Sequence, residues 1–239
     1  PAREATAPRP VMVFIHGGAY LMGSSATPLY YGNSLVERGD VVFVSINYRL
    51  GALGYLDLTD FSTAERPIDG NLGLRDQVAA LEWVRDESAA FGGDPGQVTV
   101  SGQSAGGGAV LCLLASPLAA GLFHRGIASS PAVLRSPAAQ APKGATAAEL
   151  AAGGRGAVDE FHRRLRRDNP FLMPFRPTIG DETVPVPPLE GVGEGPGLGV
   201  PLLIGSTATE FEGLVRALPG PALVPGAAMI LRSQELPTT

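Results

Sequence analysis

Short apolar runs limit the folds that are available to this chain. Residues 11–15 and 41–46 consist almost entirely of β-branched, aromatic and other apolar residues, without a regular polar alternation. A strand of this kind is buried on both faces, which is typical of a parallel sheet that helices cover. A short helix over residues 29–37, ending at Gly39, would connect the two runs. The pattern predicts an α/β fold, with a mostly parallel sheet and helices on both faces.

The same alternation of strands and helices continues along the chain. Apolar residues at spacings of three and four predict a helix that Asn71 caps and that ends near residues 91–95. We predict strands over residues 97–101, 126–129 and 202–204, and helices over residues 105–115 and 209–218. Residues 131–200 differ, because they are rich in Ala, Pro, Gly and Arg, and we predict only a helix at 157–167 and a glycine-rich loop at 190–199 there.

Composition excludes several classes of protein. The chain has 239 residues and a formal net charge of −5, which argues against nucleic acid as a partner. Its 44% hydrophobic content excludes a disordered chain, and no run of about 18 apolar residues exists to span a membrane. The single Cys112 excludes an internal disulfide. The three histidines and one cysteine show no metal-ligand spacing, so we expect no metal and no cofactor.

Residues 102–106, Gly-Gln-Ser-Ala-Gly, match the G-x-S-x-G pattern of a nucleophile elbow. In such an elbow a strand turns sharply into a helix, and the serine oxygen projects from the turn. Chance alone produces about 0.25 such matches in a chain of this composition, so the motif by itself is weak. Here a predicted strand precedes it and a predicted helix follows it, as the mechanism requires. Ser104 is therefore the candidate nucleophile, and the alternative is a glycine-rich turn with a solvated serine.

A second glycine cluster follows the first predicted strand. Residues 16–19, His-Gly-Gly-Ala, are small enough after the histidine for backbone N–H groups to converge on one point. Such a loop can stabilise the oxyanion of acyl transfer, together with the N–H of the residue after the nucleophile. We therefore predict an oxyanion hole formed by Gly18, Ala19 and Ala105.

Several segments together resemble the type B carboxylesterases, the cholinesterase-like branch of the α/β-hydrolases. The matching segments keep the family order, with Gln103 in place of the frequent glutamate, and they are residues 10–20, 39–42, 47–51, 70–77, 91–95, 102–106, 175–181 and 201–210. The resemblance implies an α/β-hydrolase fold that is incomplete at its N- and C-terminal ends. It also implies a single partial domain over residues 1–239, in which residues 131–200 form a shortened, loop-rich connection over the pocket.

The resemblance suggests an acidic triad member near residue 210. In the family the glutamate follows a glycine by five residues, and Gly205 plus five is Glu210. Glu212 is the rival, because the family often has Glu-Gly at this point and Gly213 follows Glu212. Either glutamate would also be explained as an ordinary charge near the N-terminus of a helix, where the helix dipole favours it.

The sequence lacks a histidine at the position that the resemblance implies. The family places its base downstream of the glutamate, yet none of the three histidines, His16, His124 and His162, follows Glu210. The order of the motifs assigns His16 to the oxyanion segment and His124 to the entry of a strand, and His162 falls on the predicted helix at 157–167. We therefore expect an incomplete triad in a truncated family member.

The resemblance implies a carboxylic ester hydrolase that works through a serine acyl-enzyme. Ser104 would be the nucleophile and Glu210 the triad acid, and the N–H groups of Gly18, Ala19 and Ala105 would hold the oxyanion. The expected partner is a small-molecule carboxylic ester, without nucleic acid and without a membrane span. The alternative is a catalytically inactive remnant or binding module. No export signal is visible at the start, so we expect a cytoplasmic protein, with secretion left open.

Overall fold

The fold is built around one parallel sheet. A computed structural model describes residues 7–59, 62–132 and 175–207. Its strands are β1 (Arg9–Ile15), β2 (Val42–Ile46), β3 (Gly93–Gln103), β4 (Arg125–Ser129) and β5 (Leu202–Gly205). Their order across the sheet is β2-β1-β3-β4-β5, and every neighbouring pair is parallel. The predicted parallel sheet is therefore confirmed.

Helices connect these strands. They are α1 (Asn33–Gly39), α2 (Gly51–Tyr55), α3 (Leu72–Glu87), α4 (Ala105–Ala115) and α5 (Pro188–Glu194). Helix α4 has the predicted bounds, and the predicted inward residues of α3, Leu74, Val78, Leu81 and Val84, are all buried. Among the described residues, no helix has the length and apolarity that a membrane crossing requires.

The core lies between one face of the sheet and helices α3 and α4. Along β1 the residues Val11, Val13 and Ile15 are fully buried, whereas Met12 and Phe14 between them are half-buried. Successive residues of a strand point to opposite faces, so the two sets of side chains lie on different sides of the sheet. The sheet is therefore packed tightly on one face and loosely on the other.

Two local predictions about the first half of the chain are wrong. The predicted helix at 29–37 is a 3-10 turn, Pro28–Tyr30, followed by α1, because Tyr31 has an extended backbone with φ −69° and ψ 123°. Asn71 precedes α3 with a left-handed φ of 53°, but its side chain does not cap the helix. The Asn71 amide instead exchanges hydrogen bonds of 2.8 and 2.7 Å with the backbone of Thr178.

The predicted loop at 190–199 is also partly wrong, because α5 occupies its first half. At Gly191, a Cβ atom would lie 2.4 Å from the Cβ of Ala115 at the end of α4. Two small residues therefore let α5 pack closely on α4, and this tertiary contact outweighs the low helix propensity of glycine. The helices predicted at 157–167 and 209–218 lie outside the described residues.

The close backbone contact at the end of β3 should tolerate no side chain. A Cβ on Gly102 would lie 2.4 Å from the backbone carbon and oxygen of Gly106, so we expect Gly102→Ala to lower the free energy of unfolding by about 3 kcal/mol. The control is Gly193→Ala in α5, where no atom lies within 4 Å and alanine should raise stability by up to about 1 kcal/mol. Urea unfolding measures both changes, and equal effects of the two substitutions would contradict the expected clash.

Candidate active site

Ser104 lies at the sharp turn between β3 and α4. Its backbone angles are φ 58° and ψ −119°, a conformation that residues other than glycine rarely adopt and that costs about 1–3 kcal/mol. Neighbouring backbone groups hold it in place, because its N–H donates to the Ser129 carbonyl at 3.0 Å and its carbonyl accepts the N–H groups of Gly108 and Ala132 at 2.9 and 3.0 Å. The predicted elbow geometry is therefore present at Ser104, whose side chain is half-buried.

Glycines allow the elbow to form. At Gly106, a Cβ would lie 2.1 Å from the carbonyl oxygen of Ile15, the last residue of β1. A Cβ on Gly102 would likewise lie only 2.4 Å from the backbone of Gly106. The start of α4 is thereby pressed against the ends of β1 and β3, and the loop that follows β1 lies next to Ser104.

The loop of residues 16–19 lies beside Ser104. A Cβ on Gly17 would lie 3.2 Å from the Cβ of Ser104. Gly18 and Ala19 have left-handed backbones, with φ of 120° and 56°. Among the described residues, the N–H groups of Gly18, Ala19 and Ala105 donate to no partner. The structure therefore brings the predicted oxyanion residues Gly18 and Ala19 onto the loop next to Ser104, and Ala105 directly after it.

Tyr20 anchors this loop in the core, a role that the sequence analysis missed. It too has a left-handed φ, of 60°, and its ring is fully buried, 4.8 Å between centroids from the ring of Tyr55. Its carbonyl accepts the N–H of Gly51 at 2.7 Å. Burial raises the pKa of the Tyr20 phenol well above its usual value. An aromatic residue directly after a glycine cluster was the available signal, because a large buried ring can hold a strained loop.

His16 is a structural residue. Its ring is buried and stacks on the ring of Tyr48 at 4.5 Å, and Nδ1 lies 2.8 Å from the Gly17 carbonyl. The Tyr48 hydroxyl donates to the His16 carbonyl at 2.7 Å, and burial raises the pKa of the Tyr48 phenol. The His16 ring is therefore enclosed by contacts with Tyr48 and with its own segment of chain.

His124 lies at the opposite end of the sheet. Its Nδ1 accepts the N–H of Val98 at 3.2 Å, and its own N–H donates to the Val98 carbonyl at 2.8 Å. Val98 and Ser104 are six residues apart along an extended strand, so about 20 Å separates them. His124 therefore lies too far away to act on Ser104, and His162 is outside the described residues.

Polar contacts join the loops around the elbow, and the sequence analysis did not predict them. Arg49 makes a bidentate pair with Asp76 at 2.6 and 2.8 Å, and this hydrogen bonding raises the pKa of the Arg49 guanidinium. The Asn71 amide contacts the Asp181 carboxylate at 2.9 Å, and this carboxylate also accepts the N–H of Val184 at 2.8 Å. The four side chains that make these contacts lie in the family-matching segments 47–51, 70–77 and 175–181, and these segments were the signal available in the sequence.

The remaining candidate residues are the two glutamates and Cys112. Glu210 and Glu212 lie outside the described residues, so the choice between them stays a prediction. Cys112 is fully buried on α4, and burial raises the pKa of its thiol to about 12, which keeps it protonated and unreactive near neutral pH. No group of three or more His, Cys, Asp or Glu side chains suited to a metal ion occurs among the residues that the structure describes.

The comparisons with known proteins place this site in a family. The model of the carboxylesterase family matches residues 1–225. The chain belongs to the carboxylesterase family. The resemblance found in the sequence is therefore confirmed.

Individual relatives agree with this assignment. The chain is 42% identical over 216 residues to the para-nitrobenzyl esterase of Bacillus subtilis, covering 84% of this chain and 44% of that enzyme. A solved thermophilic p-nitrobenzyl esterase is 35% identical with a TM-score of 0.81, covering 96% of this chain and 51% of that one. A carboxylesterase of Geobacillus stearothermophilus is 33% identical with a TM-score of 0.71, covering 98% and 55%. The fold is therefore that of the α/β-hydrolases, and the chain spans about half the length of these relatives.

The left-handed backbone at Ala19 can be tested by substitution. Glycine adopts a φ near 56° without steric cost, so Ala19→Gly should keep the free energy of unfolding within about 1 kcal/mol of the starting protein. A β-branched residue is a steric outlier there, so Ala19→Val should lower stability by about 1–3 kcal/mol. Urea unfolding compares the two variants, and equal stabilities would show that the loop does not need its left-handed geometry.

Proposed function

We propose that this chain carries the nucleophile and the oxyanion hole of a carboxylic ester hydrolase that works through a serine acyl-enzyme. Ser104 is the nucleophile, and the N–H groups of Gly18, Ala19 and Ala105 are the oxyanion donors. Glu210 is the acid that orients the imidazole of the base. The substrate is a small-molecule carboxylic ester, in line with the esterase names of the relatives.

The proposed reaction has two halves. The imidazole accepts the Ser104 proton while Oγ bonds to the carbonyl carbon, and the carbonyl electron pair moves onto the oxygen, where the three N–H groups stabilise the charge. The tetrahedral intermediate expels the alcohol, which takes the proton from the imidazolium. Water then attacks the acyl-enzyme in the same way and releases the acid, so that ester and water give acid and alcohol and restore Ser104.

One observation carries this proposal. The strained backbone of Ser104, with φ 58°, lies beside a loop in which the N–H groups of Gly18 and Ala19 donate to no partner within residues 7–59, 62–132 and 175–207. Strain of this size persists only where the surrounding structure enforces it, and it is concentrated at functional sites. A solvated serine in an ordinary turn would not need three left-handed residues, Gly18, Ala19 and Tyr20, on the neighbouring loop.

A second candidate function is a catalytically inactive binding module with the same pocket. Two observations favour it, because the His16 ring is buried in contacts with Tyr48 and Gly17, and His124 bonds to Val98, about 20 Å along β3 from Ser104. Serine is a poor nucleophile at neutral pH without an adjacent base. The two candidates differ in whether Ser104 forms a covalent adduct, and the following experiment tests this difference.

In a form of the protein that carries the base histidine, a fluorophosphonate probe should label Ser104, as peptide mass spectrometry would show, and Ser104→Ala should abolish the label. The matched control is Ser206→Ala, an exposed serine after β5, which should keep it. Hydrolysis of p-nitrophenyl acetate by the chain alone should be weak, about 10³–10⁴-fold over water at most, because oxyanion donors and binding act without the base. Labelling that survives Ser104→Ala would contradict the assignment, and a chain that is never labelled would favour the binding module.

The assignment of the triad acid to Glu210 instead of Glu212 can be tested separately. In the helix that the sequence predicts over residues 209–218, side chains two positions apart point about 200° apart. Only one of Glu210 and Glu212 would then face the base. In a form of the protein that carries the base histidine, Glu210→Gln should lower kcat on p-nitrophenyl acetate on the order of 10³–10⁴-fold. Glu212→Gln is the matched control and should have little effect. The reverse order would assign the acid to Glu212.

A further inference from the structure

Two hydrogen bonds from the chain after β2 hold the two ends of the glycine loop. Before the loop, the His16 carbonyl accepts the Tyr48 hydroxyl at 2.7 Å. After the loop, the Tyr20 carbonyl accepts the Gly51 N–H at 2.7 Å. Residues 17–19 lie between these two fixed carbonyl groups, and two of the three are glycines. Glycine has more conformational freedom than any other residue, so contacts from outside must fix the direction of the N–H groups in this loop.

The direction of the Gly18 N–H is set by the carbonyl group that precedes it. A trans peptide is planar, so the Gly18 N–H points opposite to the Gly17 C=O, and the described residues contain no cis peptide bond. The Gly17 oxygen lies 2.8 Å from Nδ1 of His16. Because a carbonyl oxygen only accepts, Nδ1 carries the proton and donates it. The imidazole therefore fixes this peptide plane, with the Gly18 N–H directed away from the His16 ring.

The surrounding chain leaves just enough space for this hydrogen bond. A Cβ on Gly23 would lie 2.4 Å from Nδ1 of His16 and 2.5 Å from the Gly17 oxygen, so any side chain at residue 23 would collide with both atoms. Gly17 is also the residue whose added Cβ would lie 3.2 Å from the Cβ of Ser104. The peptide that the imidazole holds therefore begins at the residue next to Ser104.

Tyr48 holds His16 through both its ring and its hydroxyl. The two rings stack with centroids 4.5 Å apart and planes 20° apart, and the hydroxyl bonds to the His16 carbonyl. Both side chains are buried, where hydrogen bonds are stronger than in water. Burial also raises the pKa of the Tyr48 phenol, so its hydroxyl stays a donor near neutral pH. Held at its ring and at its backbone, the imidazole has a fixed orientation that depends on Tyr48.

We propose that Tyr48 is a positioning residue of the oxyanion hole that acts through His16: Tyr48 holds the imidazole, and the Nδ1–H of His16 sets the direction of the Gly18 N–H. Because Gly18 is taken to be an oxyanion donor, this rests on the proposed function. Neither Tyr48 nor His16 touches the ester. The oxyanion forms only during the reaction, so a misdirected Gly18 N–H should lower the rate without weakening the binding of substrate.

NMR of the 239-residue chain tests this geometry without any catalysis. In mildly alkaline buffer, with ¹⁵N-labelled histidine, the His16 imidazole should show the tautomer that is protonated at Nδ1, and this proton should exchange slowly with water because the ring is buried. A tautomer protonated at Nε2 instead would leave nothing to donate to the Gly17 carbonyl and would overturn the proposal.

Two matched substitutions test the part played by Tyr48. Tyr48→Phe keeps the ring and removes the hydroxyl, so the backbone amide signal of Gly18 should shift. Tyr55→Phe is the control, because it removes another buried tyrosine hydroxyl, one that contacts the Gln77 side chain at 3.4 Å, and it should leave the Gly18 signal in place. An unchanged Gly18 signal in Tyr48→Phe, or an equal shift in both variants, would contradict the role of the Tyr48 hydroxyl.

Substitutions of His16 separate positioning from folding. His16→Asn keeps an N–H donor where Nδ1 lies, whereas His16→Leu has a similar size and no donor. In a form of the protein that carries the base histidine, His16→Leu should lower kcat on p-nitrophenyl acetate about 10²–10³-fold with KM unchanged, the loss expected for one oxyanion donor. His16→Asn should restore kcat to within about tenfold of the starting protein, and Tyr48→Phe should lower it about tenfold. Thermal unfolding of each variant checks that its fold is retained.

The kinetic outcomes are distinct. Equal kcat values for folded His16→Asn and His16→Leu would overturn the proposal, because the N–H donor would then be irrelevant. A loss that appears in KM instead of kcat would also overturn it, since the imidazole would then act on substrate binding. Hydrolysis that survives Ser104→Ala would contradict the proposed function, and the NMR spectra would still decide whether Tyr48 and His16 set the direction of the Gly18 N–H.

Discussion

The site depends on one backbone contact, where the first turn of α4 is pressed against the end of β1. Only a hydrogen atom fits between Gly106 and the carbonyl of Ile15, and only a hydrogen atom fits between Gly102 and the backbone of Gly106. Because His16 directly follows Ile15, the same contact brings the glycine loop to Ser104. Ser104 and the loop of residues 16–19 therefore lie together as a consequence of how β1, β3 and α4 pack.

The strain in this arrangement is held by the surrounding core. Ser104, Ala19 and Tyr20 all have left-handed backbones, and conformations of this kind cost about 1–3 kcal/mol each. The burial of Tyr20 against Tyr55, its bond to Gly51 and the bonds of Ser104 to Ser129 offset that cost. A preorganised oxyanion hole requires such support, because donors that must rearrange during the reaction stabilise the transition state less.

The two faces of the sheet beside this site differ in how completely they are buried. One face is a dry core, and the other exposes Phe14, Phe43 and Ile127 to a cavity that reaches the residues before Ser104. This difference in burial follows from the direction in which the strand connections cross the sheet, so it is set by the topology and not by any single side chain.

The sequence by itself determined the parallel sheet, the bounds of α4, the inward residues of α3 and the elbow at Ser104, because each depends on local periodicity and on the steric freedom of glycine. Only the tertiary structure decided other features. Gly191 lies in a helix since it packs on Ala115, and Asn71 bonds to Thr178 instead of capping α3. Sequence patterns also could not predict the distance of His124 from Ser104 or the incomplete burial of one face of the sheet. These features depend on which distant segments come into contact, and local propensity carries no information about such contacts.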